Sequence, residues 1–411
     1  MQIRPILATL RHHKLTALLL TLQVALTCAI VCNVVFMISK RVQQITLPSG
    51  IAEDGLSVIH STGIDKNESP QAQHAVDLAA LRAIPGVASA VAVSDSLPLN
   101  RNDDSYGTCP SRQAFQRAMQ LHSGQGAGCL EPSAYDGTPG LIQTLGLKLI
   151  AGRDFQPDEY TTSDKPPVAI LTRALAQRMY PKQFALGKTL YTPPGEPTRV
   201  VGVVDNVLRP DLREPGTEYD SMIWPHLPNE SSVLYVLRSA PRDRDRVLKA
   251  AQAGLLAVNP DRIIDPKKVQ TYAQIRAQYF QRDTTMIGLL IASALGLLFV
   301  TALGITGLAN FWVQQRTRTI GIRRALGARR VDILRYFQTE NFLIVTFGIV
   351  LGMVLAFAIN LTLMKFYELP RLPFFYLPIG AVALWLLGQL AVLGPALRAS
   401  HLPPVVATRT V

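Results

Sequence analysis

Charge is scarce in this 411-residue chain: Asp, Glu, Lys and Arg make up 17% of it, against 48% hydrophobic residues. A soluble globular protein carries about a quarter charged residues. The deficit is also uneven. Four stretches contain none of these four residue types: Leu15 to Ser39, Thr284 to Gln315, Asn341 to Met364 and Leu372 to Leu397. Each exceeds the ~20 apolar residues that cross ~30 Å of hydrocarbon as a helix. Runs of this length exclude both a soluble globular protein and a disordered chain. Cysteine is scarce as well, and four residues exclude a disulfide-built mini-protein. The chain reads as a polytopic membrane protein.

Catalytic and metal patterns are missing too. Leu186-Gly187-Lys188-Thr189 has the end of a phosphate loop, but Lys182 stands where the first glycine of that motif is required. No Ser-His-Asp, paired-carboxylate or metal-ligand constellation stands out, and the seven histidines are scattered. The expectation is a chain that is not itself an enzyme, with no metal site and no cofactor of its own.

The net charge of +12 is informative once it is located. Ser39 to Asp283 holds 27 Lys/Arg against 26 Asp/Glu, while the remainder holds 14 against 3. The excess flanks the apolar runs, as expected where Lys and Arg near span ends stay on the cytoplasmic side. This accounts for the charge without nucleic acid as a partner. Arg4, Arg11 and Lys14 precede the first run. Arg316, Arg318, Arg323, Arg324, Arg329, Arg330 and Arg335 follow the second, and Arg398 and Arg409 follow the fourth. Both termini are therefore expected inside.

The expected division is a cytoplasmic N-terminus over 1–14, membrane helices at 15–39, 284–315, 339–364 and 372–397, and a large extracytoplasmic domain over 40–283. A cytoplasmic segment at 316–338, a short outer loop at 365–371 and a cytoplasmic tail at 398–411 complete it. The first run is about twice a usual signal-peptide core and no A-x-A site follows it, so a retained helix is expected.

Cys28 and Cys32 read as small buried residues within a span. Cys109 and Cys129 fall in the outer segment, where an oxidising compartment favours a disulfide closing a loop of about 20 residues. Two unrelated free thiols are the alternative. The outer domain itself reads as α+β. A helix is expected over Gln71 to Ile84, ended by Pro85-Gly86, followed by a strand over Val87 to Val93. Further strands are expected at Pro167 to Leu171, Thr198 to Val207 and Ser232 to Leu237. Further helices are expected from a Thr172 cap to Tyr180 and over Arg242 to Val258. From Lys267 to Asp283 a polar helical pattern runs unbroken into the second span, as a stalk helix.

The densest signal is Arg316 to Phe337, RTRTIGIRRALGARRVDILRYF. Ile322, Ala325 and Leu326 have the i, i+3, i+4 spacing of one apolar stripe, flanked by Arg316, Arg323 and Arg324. Gly327 is placed to end that helix in a left-handed cap, and Asp332 falls in the first turn of the next helix, where the dipole favours it. A topology anchor and a partner-docking helix both fit this composition.

This segment resembles the signature of the MacB and FtsX superfamily of ABC transporter permeases. The likeness extends to Leu145-Gly146-Leu147, Ala151-Gly152-Arg153-Asp154-Phe155, Pro167-Val168-Ala169-Ile170, Leu186-Gly187-Lys188 and Val200-Val201-Gly202-Val203-Val204. It implies four transmembrane helices with a large α+β extracytoplasmic domain between the first two, in the bacterial inner membrane. It further implies a dimeric permease docked on a separate cytoplasmic ATPase that binds ATP and Mg. That ATPase drives export or efflux through an outer domain. Periplasmic adaptor and outer-membrane channel proteins would be further partners in a double-membrane cell, and lipid surrounds the spans. A transducer acting on a cell-wall hydrolase and a lipoprotein-release permease are the alternatives within the superfamily. The docking residues carried over are Arg316, Arg318, Gly321, Ile322, Arg323, Arg324, Leu326 and Gly327. Glycines 288, 296, 304 and 307, with Gly348 and Gly352, would permit close helix approach, within the bundle or across a dimer. Thr319 replaces the family's usual Glu, and the tail Pro403 to Arg409 lacks the two acids of the family pattern. Three acids are thus missing, and a heterodimer with a second, more typical permease is expected.

Overall fold

The computed structural model describes residues 14–64, 69–124, 126–163, 165–212, 214–367 and 371–401. Arg4 and Arg11 of the expected N-terminus, Glu368 of the expected outer loop and the tail from Pro403 to Arg409 lie outside the described residues. The chain forms two compact units. A membrane unit takes residues to Thr46 and from Arg282 onward, and a head takes Leu47 to Gln281.

The first helix, α1, is Lys14–Ile45. The head then runs β1 (Leu56–Gly63), α2 (Pro70–Arg82), β2 (Val87–Val93), α3 (Arg112–Leu121), β3 (Ser133–Asp136), α4 (Leu141–Leu145) and β4 (Leu149–Gly152). It continues with β5 (Val168–Thr172), α5 (Arg173–Met179), β6 (Thr189–Thr192), β7 (Glu196–Val204) and β8 (Ser221–Trp224). It closes with β9 (Ser232–Ser239), α6 (Arg244–Val258), β10 (Arg262–Thr271) and α7 (Tyr272–Tyr279). The remaining helices are α8 (Gln281–Gln315), α9 (Thr317–Ala325), α10 (Arg330–Tyr367) and α11 (Tyr376–Ser400).

Among the described residues four helices, α1, α8, α10 and α11, are long and apolar enough to cross a membrane. They overrun the charge-free runs at most ends. At 35 residues, α8 measures ~52 Å, against ~30 Å of hydrocarbon. Gly348 and Gly352 of α10 lie against α1, where an added Cβ would meet Val24 and Cys28. The free, buried Cys28 lies in the same seam, and the free, buried Cys32 lies against Gly380 of α11. Asn33 donates to the Ala356 carbonyl at 3.1 Å and Asn341 to the Gly388 carbonyl at 2.9 Å. In hydrocarbon a polar side chain is stable only with such a partner.

The head is layered by strand alternation. One sheet has strand order β10-β1-β9-β2, all antiparallel, and the other has β3-β8-β5-β7-β4, with β6 on β7. Along β9, Leu234 and Val236 enter the core shared by the two sheets, whereas Tyr235 and Leu237 pack with Leu81 of α2 and Leu255 of α6. In the second sheet Ile170 and Ile223 point into the shared core, and Leu171 and Met222 pack with Leu175 of α5. Successive side chains of a strand point to opposite faces, so sheets covered on both sides need continuous apolar strands.

Some local expectations are corrected here. Residues 267–271 are strand, not helix: β10 pairs with β1 through a register irregularity around Ile59 and Ser61, which accommodates Pro266 on an edge strand. The polar helix before the second span is only α7, and it is interrupted at Phe280 (φ −91, ψ 7) before α8 begins. Thr172 holds the N-cap position of α5, but its hydroxyl donates to the carbonyls of Tyr219 and Ser221. The Asn206 side chain supplies the cap instead, accepting from the Ala174 N–H at 2.9 Å. Cys109 and Cys129 are joined by a disulfide, and the loop between them contains α3.

Candidate functional site at the arginine-rich hairpin

Gln315 ends α8, and Arg316 leaves helical geometry (φ −103, ψ 10) to start α9. Nine residues later α9 closes in a Schellman motif. Gly327, at φ +100, donates to the Arg324 carbonyl, and Ala328 donates to the Arg323 carbonyl at 3.0 Å. The next helix is fixed at its start by Asp332, whose carboxylate accepts from the Arg329 N–H at 3.0 Å. A carboxylate there also satisfies the positive end of the α10 dipole. Sequence-local chemistry thus builds a short helix, a tight turn and a long helix.

An ion pair at the α9 entry and a cation–ring contact tie this helix to α10. The Arg316 guanidinium donates to Glu340 at 2.7 Å, with the carboxylate 1% exposed. The Arg323 guanidinium lies 5.1 Å from the centroid of the Tyr336 ring. Ile320 and Gly321 form the buried face of α9. A cavity of about 240 Å3 remains between the helices, lined by Arg316, Thr319, Arg323, Asp332 and Tyr336 among others. Thr319 therefore sits in the groove between two arginines, where a longer acidic side chain would occupy the space.

The residues singled out from sequence separate into two groups. Arg316, Gly321 and Arg323 are engaged within the hairpin, and Gly327 terminates it. Ile322 and Leu326 point outward, 47% and 82% exposed, and Arg318 is exposed beside them. Arg324 is half-buried. The expected apolar stripe is displayed on the surface, while Arg316 is turned inward to a carboxylate. Sequence reading missed Glu340 and Trp312. The one available signal was an acid at the head of an apolar run. Arg316 stands over the Trp312 ring at 6.0 Å, and the Trp312 Nε1 and Glu340 Oε1 atoms are buried without a hydrogen-bond partner. No cluster of three metal-ligating side chains occurs among the described residues.

The hairpin falls within a stretch of the chain that matches a known family. Residues 15–255 match the MacB-like periplasmic core domain, and residues 290–404 match the FtsX-like permease C-terminal domain. The chain belongs to this MacB- and FtsX-like family of ABC transporter permeases, and membership implies a partner ATPase. Among relatives, it is 23% identical to the ABC transporter permease YvrN of Bacillus subtilis, over 97% of this chain and 96% of that one. It is 37% identical over 138 residues to the macrolide export ATP-binding/permease protein MacB of Nitrosomonas europaea, covering 33% of this chain and 20% of that protein. Among solved structures, it is similar to the periplasmic region of MacB from Actinobacillus actinomycetemcomitans, with 14% identity and a TM-score of 0.35 over 57% of this chain and 97% of that one.

Proposed function

We propose that this chain is the permease subunit of a MacB-type ABC exporter, passing the motion of a separate cytoplasmic ATPase to an extracytoplasmic head. ATP and Mg are held by that ATPase, and this chain performs no hydrolysis. The observation that carries the reading is the outward display of Ile322 and Leu326 on a helix whose entry is pinned by the Arg316–Glu340 pair. Exposed apolar side chains beside arginines, on a rigid helix, suit insertion into a groove of a partner protein. In this reading both termini lie in the cytoplasm and the head lies outside an inner membrane, as the arginines flanking the spans favour.

A second permease completes the proposed assembly. Only 6% of the α8 hydrophobic window is buried within the chain. Gly288 and Gly296, one helix face apart by two turns, have nothing within 4 Å of an added Cβ. Small residues on an open face permit close packing of a partner helix. Thr319 in the groove removes an acid from the docking element, which favours a heterodimer in which the other permease keeps it. Adaptor and outer-membrane channel proteins are the further partners of such an exporter, with efflux as the outcome.

The test is co-purification with the partner ATPase from cells expressing the native set of subunits. Ile322→Asp or Leu326→Asp is expected to abolish ATPase recovery and cargo movement while leaving the permease in the membrane. Undiminished recovery and transport in both variants would remove the docking assignment.

A further inference from the structure

The head holds a cavity of about 260 Å3 whose lining includes no residue of the arginine-rich hairpin. Its apolar lining comes from Val58 of β1, Leu234 of β9, and Leu97 and Leu99 of the loop after β2, all 7% exposed or less. Ile275 and Tyr279 of α7 line it as well. At the polar side stand the basic side chains of Arg101 and Lys268 against one carboxylate, Asp95. A pocket with an apolar floor and a few charged groups is the usual form of a small-molecule site.

The loop is built to hold this shape. Leu99 and Arg101 both take left-handed backbone conformations, at φ +64 and +69, which are unfavourable for side chains other than glycine and persist where surroundings impose them. The imposing contacts are visible. Leu99 N–H donates to the Arg209 carbonyl and Arg101 N–H to the Pro210 carbonyl, while the Tyr272 hydroxyl donates to the Pro98 carbonyl at 2.8 Å. The strained turn sends the Leu99 side chain inward, 1% exposed, and leaves Arg101 exposed. Arg101 then donates to the Tyr279 carbonyl at 3.0 Å and lies over the Tyr279 ring at 5.4 Å.

His60 sits in the same cavity, with its pKa lowered by burial and by Lys268, so it adds no further cation at neutral pH. Among the lining residues the fixed charge therefore sums to one net positive, with Asp265 acting on His60 from outside the lining. The volume falls below the ~300–1,000 Å3 of pockets for drug-sized ligands, which limits the occupant to a compact molecule.

We propose that this cavity binds a compact amphipathic anion, an aliphatic body seated against Leu97, Leu99 and Leu234 with a carboxylate facing Arg101 and Lys268. The site depends only on the head and does not rest on the docking role of α9. Both source classes, free carboxylic acids and peptide C-termini, present this chemistry.

Saturation-transfer NMR on the full chain in lipid nanodiscs tests it, with no ATP present. The probes are N-acetylleucine, the neutral N-acetylleucinamide, and acetate, which has charge without the aliphatic body. A leucine-terminated dipeptide added as a fourth probe separates the two source classes: a stronger signal than N-acetylleucine assigns the site to peptide C-termini, and an equal or weaker one to free acids. The expected result is transfer to the N-acetylleucine methyls above that given by empty discs and above both controls. Lys268→Gln, at an exposed position, should weaken it about tenfold, and Ile275→Trp, which fills the cavity, should abolish it. Thermal melts matching the parent show that both variants are folded. Equal transfer with the amide or with acetate, or binding unchanged in both variants, overturns the proposal.

Discussion

Arg316 and Glu340, 24 residues apart, close into an ion pair of 2.7 Å in which the carboxylate is 1% exposed. The pair joins the entry of α9 to the inner part of α10, and so fixes the angle at which Ile322 and Leu326 are displayed. A charge this well buried is tolerated only with its partner present.

Removing the carboxylate therefore leaves a nearly buried guanidinium unpaired. Glu340→Gln is expected to destabilise the membrane unit by about 3 kcal/mol, the low end for a broken buried pair, because Arg316 retains some solvent contact. The double variant Arg316→Met/Glu340→Met should recover most of that loss. Detergent-phase thermal unfolding of the three proteins measures it, and equal melting of parent and Glu340→Gln would show that the pair contributes nothing.

The Cys109–Cys129 disulfide closes a loop of 20 residues around α3. In the chain-entropy model its removal costs about 3 kcal/mol. A Cys109→Ser/Cys129→Ser protein should unfold its head at lower denaturant, and limited proteolysis should cut first between the two positions. An unaltered head midpoint would mean that the loop is held by packing alone.

His74 links α2 to β9 through the Tyr235 hydroxyl at 3.1 Å and the Glu230 carbonyl at 2.9 Å. Burial lowers its pKa from the ordinary 6.5. The folded state thus binds a proton less readily than the unfolded state, and the stability it contributes, present above pH 6.5, is lost as pH falls below that value. His74→Gln should flatten the acid limb of head stability. His60, lowered in the same direction by burial and Lys268, keeps part of the slope. Urea midpoints between pH 7 and about 5 report the difference; identical slopes would remove His74 as a contributor.

A reporter active only in the cytoplasm, inserted at the exposed turn of Gly216, should give no signal. The same reporter after His401 should be active. The reverse pattern would invert the proposed orientation.

Where local chemistry sets the structure, the sequence was legible. Val87–Val93 was recoverable to the residue because its apolar run is bounded by Pro85-Gly86 and by Ser94. Gly327 was readable as a cap because only glycine enters that conformation without strain. Arg262–Thr271 was not readable: RIIDPKKVQT carries four charges and a proline, and its strand state comes from pairing with β1. Thr172 failed as a cap for a related reason, since its hydroxyl meets carbonyls 47 and 49 residues away.

Hydrocarbon solvation acts along the chain itself, so the charge-free runs marked the four candidate spans, and the arginine-rich segment between the second and third carried the family signature. Tertiary structure alone decided which side chains meet. It turned Arg316 inward to Glu340, left Ile322 and Leu326 outside, and brought a buried Leu99 and an exposed Arg101 to one pocket. These depend on residues far apart in sequence whose burial is settled only when helices and sheets pack, because desolvation and pairing act through space.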